Sequence, residues 1–262
     1  MDVLITGGTG TLGSHLTKYA SLGGDSVRIL SRRSGPGDVS DDFRWVQGDL
    51  GTGDGLTSAV DGVDVVFHLA TSPGIGTKKV DVEGTRRLVN AAEEMGVNHF
   101  IYLSIVGIDR IPYSYYQHKL TAESIVESGS VPHTILRATQ FHELIDLVLS
   151  SATKMPLVTW LPKDFQVQSI AASEVAQHLY ELSQREPAGR VPDIGGPEVR
   201  ISGDMIDPWL EAQNLNRKVF SFPFPGEIGR AFREGKNTCP DRKHGTITWE
   251  EWLQKAGEAT AG

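Results

Sequence analysis

The chain has 262 residues, 39% hydrophobic and 22% charged, enough to build the core of one large α/β domain. A net charge of −8 argues against the basic footprint of a nucleic-acid-binding surface, and the lone Cys239 excludes an intrachain disulfide framework and fits a reducing, cytoplasmic setting. No apolar run approaches the roughly 20 residues of a membrane span, no signal peptide fits before the first strand, and the histidines show no metal-ligand spacing, so neither membrane nor metal is expected.

Val3-Leu4-Ile5 is a short run of strand formers. Thr6-Gly7-Gly8-Thr9-Gly10-Thr11-Leu12-Gly13 follows, and then Leu16, Tyr19, Ala20 and Leu22 recur at helical spacing. Strand, glycine turn, helix is the context that makes a glycine pattern specific. Gly7 can turn tightly, Gly10 admits a ligand close to the backbone, and Gly13 lets the helix pack on the strand. The helix N-terminus then faces an anion, a pyrophosphate, with Thr9, Thr11 and Leu12 beside it.

Residues 26–30 read as the second strand, ending in Ser31-Arg32-Arg33. An acid here would bind a ribose 2′-hydroxyl and select NAD. None occupies positions 30–34, and two guanidinium forks suit a 2′-phosphate. NADP(H) is therefore favoured over NAD(H), with Ser31, Arg32 and Arg33 as ligands.

Residues 34–42 read as a loop and 43–47 as a third strand leading to Asp49 and Leu50. Asp49 could accept from an adenine amino group or cap the next helix, residues 56–60. Residues 63–67 form a buried strand that runs into His68, Leu69, Ala70 and Thr71. Ligands bind at the carboxyl ends of such strands, which makes Leu69, Ala70 and Thr71 cofactor contacts. His68 is expected to be a packed strand-end histidine.

A long helix is predicted over residues 80–95, stopped by Gly96, and a strand over 99–103 ends at Ser104. The next helix carries Tyr115 and Lys119 at i and i+4, on one face. A phenol has an ordinary pKa near 10 and an adjacent ammonium favours its ionised form. This pairing suits proton transfer, with Ser104 polarising a carbonyl oxygen and Lys119 also reaching the cofactor ribose. Residues 134–137 form another strand, after which Phe141 and His142 are candidates to line a substrate pocket.

Residues 151–168 read as irregular, with Trp160 a further substrate candidate. Helices are expected over 173–184 with Ser173 as N-cap and over 201–213, a returning strand over 191–194 and a short one over 218–222. Thr248-Trp-Glu-Glu251 is a capping box opening a last amphipathic helix.

The glycine motif, Gly48-Asp49-Leu50, His68-Leu69-Ala70, Asp81-Val-Glu-Gly-Thr85, Leu103-Ser104, Tyr115-x-x-x-Lys119 and Ile135-Leu-Arg-Ala138 together resemble the short-chain dehydrogenase/reductase superfamily, in its extended-to-atypical branch, and the NmrA-like proteins. The resemblance implies an α/β Rossmann-type, doubly wound parallel sheet of seven strands and a nicotinamide cofactor. It implies Ser104, Tyr115 and Lys119 as the catalytic set. The whole chain, 1–262, is then a single NAD(P)-binding unit with a small C-terminal substrate lobe, roughly 142–168 and 196–262. Where the family often has asparagine, this chain has Asp81.

The expected activity is an NADPH-dependent oxidoreductase acting on a small organic carbonyl or alcohol, as a monomer or homodimer. The alternatives are a non-catalytic NADP(H) redox sensor of NmrA-like type and a nucleotide-sugar epimerase or dehydratase. Arg32 and Arg33 and the short C-terminal part count against the last.

Overall fold

The computed structural model describes residues 1–33, 43–72, 76–154 and 159–261; the loop expected over 34–42 lies outside them. The chain divides into two compact units. The first is Met1–Ser104, Ser114–Arg137 and Ser173–Pro192; the second is Ile105–Tyr113, Ala138–Ala172 and Asp193–Gly262. No helix among the described residues is long and apolar enough to cross a membrane.

In the first unit, strands and helices alternate. They are β1 (Asp2–Thr6), α1 (Thr11–Leu22), β2 (Ser26–Ser31), β3 (Phe43–Gln47), α2 (Leu56–Val60), β4 (Val65–His68), a π-helix (Lys78–Gly84), α3 (Thr85–Glu94), β5 (His99–Ile105), α4 (Ser114–Ser128) and β6 (His133–Ala138). After α5 (His142–Thr153), β7 (Thr159–Leu161) and β8 (Gln166–Val167) of the second unit, the chain returns as α6 (Ala172–Ser183) and β9 (Gly189–Arg190). The parallel sheet has seven strands in the order β3-β2-β1-β4-β5-β6-β9. The chain reverses direction across the sheet between β1 and β4, which is where a doubly wound sheet opens a ligand crevice. Thr6 pairs with His68, and His68 with Tyr102, so the carboxyl ends of β1, β4 and β5 lie side by side.

The strands are apolar runs because both faces are covered. Leu4, Val66, Phe100 and Tyr102 pack against Leu88, Ala92, Ala122 and Val126 from the helices in one continuous core. Each fully buried large side chain of this kind contributes about 1.5–3 kcal/mol.

The second unit completes with β10 (Arg200–Ile201), a 3₁₀ turn (Ser202–Met205), α7 (Ile206–Ala212), β11 (Val219–Ser221), α8 (Gly226–Arg233) and α9 (Trp249–Ala261). Its core holds Leu149, Val167, Met205, Trp209, Trp249 and Leu253. The capping box forms as expected: Thr248 N donates to Glu251 Oε2 (2.9 Å) and Glu251 N to Thr248 Oγ1 (3.3 Å).

Three expectations are corrected. The helix over 80–95 is a π-helix followed by α3, because Asp81 is drawn toward the loop after β4 and Gly84 sits where a Cβ would come within 2.9 Å of Leu50. The helix over 201–213 starts as a 3₁₀ turn. Pro208 has no N–H for the carbonyl of residue 204, so α7 begins only at Ile206. The irregular stretch 151–168 contains β7, which pairs in parallel with β11, and β8, which pairs antiparallel with β10. Both partners lie far along the chain, out of reach of local pattern.

Candidate active site

The cofactor cradle is built by β1 and α1. Gly7 has φ +72°, and a Cβ on Gly13 would lie 2.2 Å from the Gly7 carbonyl oxygen, so α1 approaches the turn as only glycine permits. Gly10 N donates to Gly7 O (2.9 Å) and Ser14 N to Gly10 O (2.9 Å). Gly10 caps α1 with no side-chain hydrogen bond, and Thr9, Gly10 and Thr11 are exposed, while Leu12 and Gly13 are buried beneath them. The amides at this helix start lie at the positive end of the helix dipole, which fits a pyrophosphate.

Around that cradle, Ser31 ends β2 and accepts Arg33 N (3.2 Å), while Arg32 and Arg33 are exposed just past the strand. Asp49 caps neither α2 nor any other helix; its Oδ1 accepts Gly51 N (2.7 Å) within its own turn, and α2 starts from Gly55 in the left-handed region. Leu50 is packed in the core under this turn. The next strand end is held from below. Leu69 N and Ala70 N both donate to Thr6 Oγ1 (3.2 Å each). The Thr6 hydrogen therefore goes to His68 Nδ1 (2.8 Å). Thr85 Oγ1 donates to the Asp81 carbonyl (2.6 Å), so it accepts from His68 Nε2 (2.9 Å). His68 is thus neutral and protonated at Nε2. Burial, helped by the Lys119 charge, drives its pKa down to about 3. It is the packed strand-end histidine anticipated, and it braces the loop that carries Thr71.

Tyr115 lies in the first turn of α4, and its hydroxyl is 2.9 Å from Thr71 Oγ1. Thr71 donates to Asp81 Oδ1 (2.5 Å), and the other carboxylate oxygen accepts Ser72 N (3.0 Å). One turn further along α4, Lys119 is buried; its ammonium donates to the Leu103 carbonyl (2.9 Å) and lies 4.2 Å above the Tyr102 ring. Desolvation lowers its pKa to about 8, against the opposing charges of Asp81 and Glu123. Tyr102 is pushed the other way, raised well above its ordinary value by burial and by Asp81, Tyr115 and Glu123.

Ser104 is 2% exposed. Its hydroxyl lies beside the Glu123 carboxylate, poorly aligned for a full hydrogen bond yet close enough to favour the ionised acid. Glu123 is fully buried and gripped by a guanidinium fork: Arg137 Nε donates to Oε1 (2.8 Å) and Nη2 to Oε2 (2.7 Å), with Arg190 Nη2 also on Oε2 (2.8 Å). This buried ion network was not anticipated. Its one local trace is that Glu123 stands four residues after Lys119, on the same helix face.

The three substrate candidates belong to the second unit. Phe141 is half-buried at the start of α5. His142 is 1% exposed and both ring nitrogens are engaged, Nδ1 with Ser169 Oγ (2.8 Å) and Nε2 with the Ile247 carbonyl (3.0 Å). It packs against the stacked Trp249 and Trp252, so it is a core residue with no nitrogen to offer a ligand. Trp160 is 58% exposed and packs on Phe220 from the neighbouring strand.

A glycine turn at the switch point of a doubly wound parallel sheet defines the class: a dinucleotide-binding Rossmann protein of the short-chain dehydrogenase/reductase fold. The family profile described as NAD(P)H-binding matches residues 7–186, and the chain belongs to that family. Its relatives include the photosystem II assembly factor Ycf39 of Trieres chinensis, 25% identical over 235 residues (85% of this chain, 72% of the relative). Another is a 3-beta-hydroxysteroid dehydrogenase of Mycolicibacterium neoaurum, 29% identical over 153 residues (47% of this chain, 42% of the relative). Among solved structures, MoeE5 in complex with UDP-glucuronic acid and NAD superposes with a TM-score of 0.79 at 21% identity, covering 100% of this chain and 99% of that one. The NADPH-dependent quinone oxidoreductase QOR2 of Escherichia coli superposes with a TM-score of 0.78 at 17% identity, covering 97% and 99%. The fold is shared across these, whereas the cofactors named in them differ.

Proposed function

We propose that the chain is an NADPH-dependent oxidoreductase acting on a small organic carbonyl, with Tyr115 as its proton donor. The observation that carries this reading is the Tyr115 hydroxyl, held at the carboxyl end of the sheet beside Thr71 with Lys119 one helical turn away. When bound, the reduced cofactor supplies the hydride and is left oxidised, and the carbonyl becomes an alcohol. This chain supplies the proton: the Tyr115 O–H bond breaks as the product O–H forms, and solvent restores the phenol once product has left. Lys119 stabilises the phenolate left behind. Ser104, whose hydroxyl is buried beside Glu123, is given no part in the proton path. The amides at the start of α1 are assigned to the pyrophosphate, and Arg32 and Arg33 to a 2′-phosphate.

The test is Tyr115→Phe, assayed with NADPH over a panel of aldehydes, ketones and quinones. We expect a loss of turnover of about 10²–10⁴-fold, with the NADPH dissociation constant changed by less than about twofold. Cofactor binding with no turnover that depends on Tyr115 replaces this reading with the redox sensor.

A further inference from the structure

We propose that Asp81, acting through Thr71, holds Tyr115 as a proton donor and so poises the site for carbonyl reduction. The inference rests on Tyr115 being the acid of the preceding reading, and it adds a positioning residue and a direction.

The argument is one of hydrogen-bond polarity. A threonine hydroxyl has a single hydrogen. Thr71 gives its hydrogen to Asp81 Oδ1 at 2.5 Å, so toward Tyr115, 2.9 Å away, its oxygen can only accept. The phenol must therefore donate. A phenolate at this position would face a lone pair, and Thr71 could greet it only by abandoning a charge-assisted bond to a buried carboxylate. Asp81 cannot swivel away, because its second oxygen takes Ser72 N at 3.0 Å. The segment is anchored further by Thr85, which binds the Asp81 carbonyl and His68 together.

Among the described residues, the groups around Tyr115 in its own unit include Lys119 and, through it, Glu123 on α4, Tyr102 on β5, and the adjacent Tyr116, whose ring centroid is 6.0 Å away. Lys119 is the one cation among them and favours the phenolate. Asp81 and Thr71 oppose it and retain the proton until a better acceptor, the oxygen of a substrate being reduced, arrives.

Asp81→Asn reverses the polarity with little change of shape. Ser72 N still needs an acceptor, so the amide oxygen takes that place and the NH₂ group turns to Thr71. The Thr71 hydrogen is then released toward Tyr115 and stabilises the phenolate. The experiment is an NMR titration of the full chain, cofactor-free, labelled with ¹³Cζ-tyrosine, with the Tyr115 signal identified by its loss in Tyr115→Phe.

Asp81→Asn is expected to lower the Tyr115 midpoint by about one pH unit or more. Thr71→Val should lower it in the native background, where the threonine is an acceptor from the phenol. In the Asp81→Asn background the same substitution should raise it, because the threonine has become a donor to the phenolate. The opposite signs separate polarity from simple loss of a charge. An unmoved midpoint in Asp81→Asn, or the same sign in both backgrounds, overturns the proposal. If Asp81→Asn does not fold, Thr71→Val alone must lower the midpoint, and an unchanged or raised value overturns it. The titration needs no turnover. Shifted midpoints with a fully active Tyr115→Phe would defeat the proton-donor reading, and with it the assigned direction, while leaving the hydrogen-bond polarity in place.

Discussion

Glu123 offers the strongest test of how the first unit is held together. The carboxylate is fully buried and the Arg137 side chain is 8% exposed, so neither charge has water to fall back on. Truncating the acid in Glu123→Ala takes from the buried Arg137 guanidinium the carboxylate that its fork grips, a change that costs about 3–5 kcal/mol. Arg190 adds little to this figure, since it is 38% exposed and keeps Glu127 as a partner. At about 2–4 °C per kcal/mol for a chain of this size, the melting temperature should fall by roughly 10 °C at pH 7. Removing both charges in Glu123→Ala with Arg137→Met should recover much of the loss.

The pH dependence of the same pair has a definite sign. Burial alone would raise the Glu123 carboxyl. The hydrogen bonds from Arg137, the nearby Ser104 hydroxyl and the two guanidinium charges outweigh it and hold the acid below its ordinary value. A depressed carboxyl contributes its stabilisation fully above the unfolded value, about 4.3. That contribution drains away as pH falls through the folded value. The gap between wild type and Glu123→Ala, followed by thermal circular dichroism, should therefore be full at pH 7 and narrow below about pH 4. A fall of less than about 2 °C at pH 7, or a double variant no more stable than the single one, refutes the reasoning.

Two further outcomes follow from the cofactor side. Arg32→Asp should weaken NADPH by about tenfold or more, the worth of a charge-assisted hydrogen bond, while NADH affinity holds or improves; equilibrium titration of both cofactors reads the ratio, and an unchanged ratio removes the arginines from the 2′-phosphate site. Lys119, buried and lowered to about 8 from 10.5, is a cation whose proton the unfolded chain holds more tightly. Above pH 10.5 both states hold it neutral, and stability is lost as pH falls toward 8, so wild type should gain on Lys119→Met as pH rises across that window in urea melts. A flat difference between the two refutes it.

The parts of this architecture that could be read from the chain are those whose partners are close in sequence. Gly7 to Gly13 form their turn among themselves, and Tyr115 and Lys119 meet because a helix brings i and i+4 together. The strand ends at Ser31 and His68, and the end of β5 to within a residue of Ser104, show in the sequence as apolar runs that stop. What could not be read depends on distant partners. Thr71 meets Tyr115 across 44 positions, and Arg190 reaches Glu123 across 67. His142 looked like a pocket residue after a strand end, and nothing local revealed that Ile247, 105 positions away, would claim its Nε2. The π-helix carries the same apolar spacing as a plain α-helix, and what sets it apart, the Asp81 contacts and the approach of Gly84 to Leu50, depends on residues outside the segment.

That π-helix, Lys78–Gly84, carries a consequence for how the chain tolerates change in length. A π turn holds more residues than an α turn, and it persists only where side-chain contacts offset its poorer geometry. Each residue of an α-helix turns the next by about 100°. Deleting one residue between Lys78 and Val80 would let the segment relax to an unbroken α-helix continuous with α3, whose register Leu88 and Ala92 fix in the core. Thr85 and His68 would keep their places, while the chain preceding the deletion would swing by a quarter-turn or more. The loop bearing Thr71 would then arrive out of phase with Asp81. The surplus residue therefore works as a spacer, and the count of residues between the end of β4 and the start of α3 is as much a determinant of the site as the identity of any one of them.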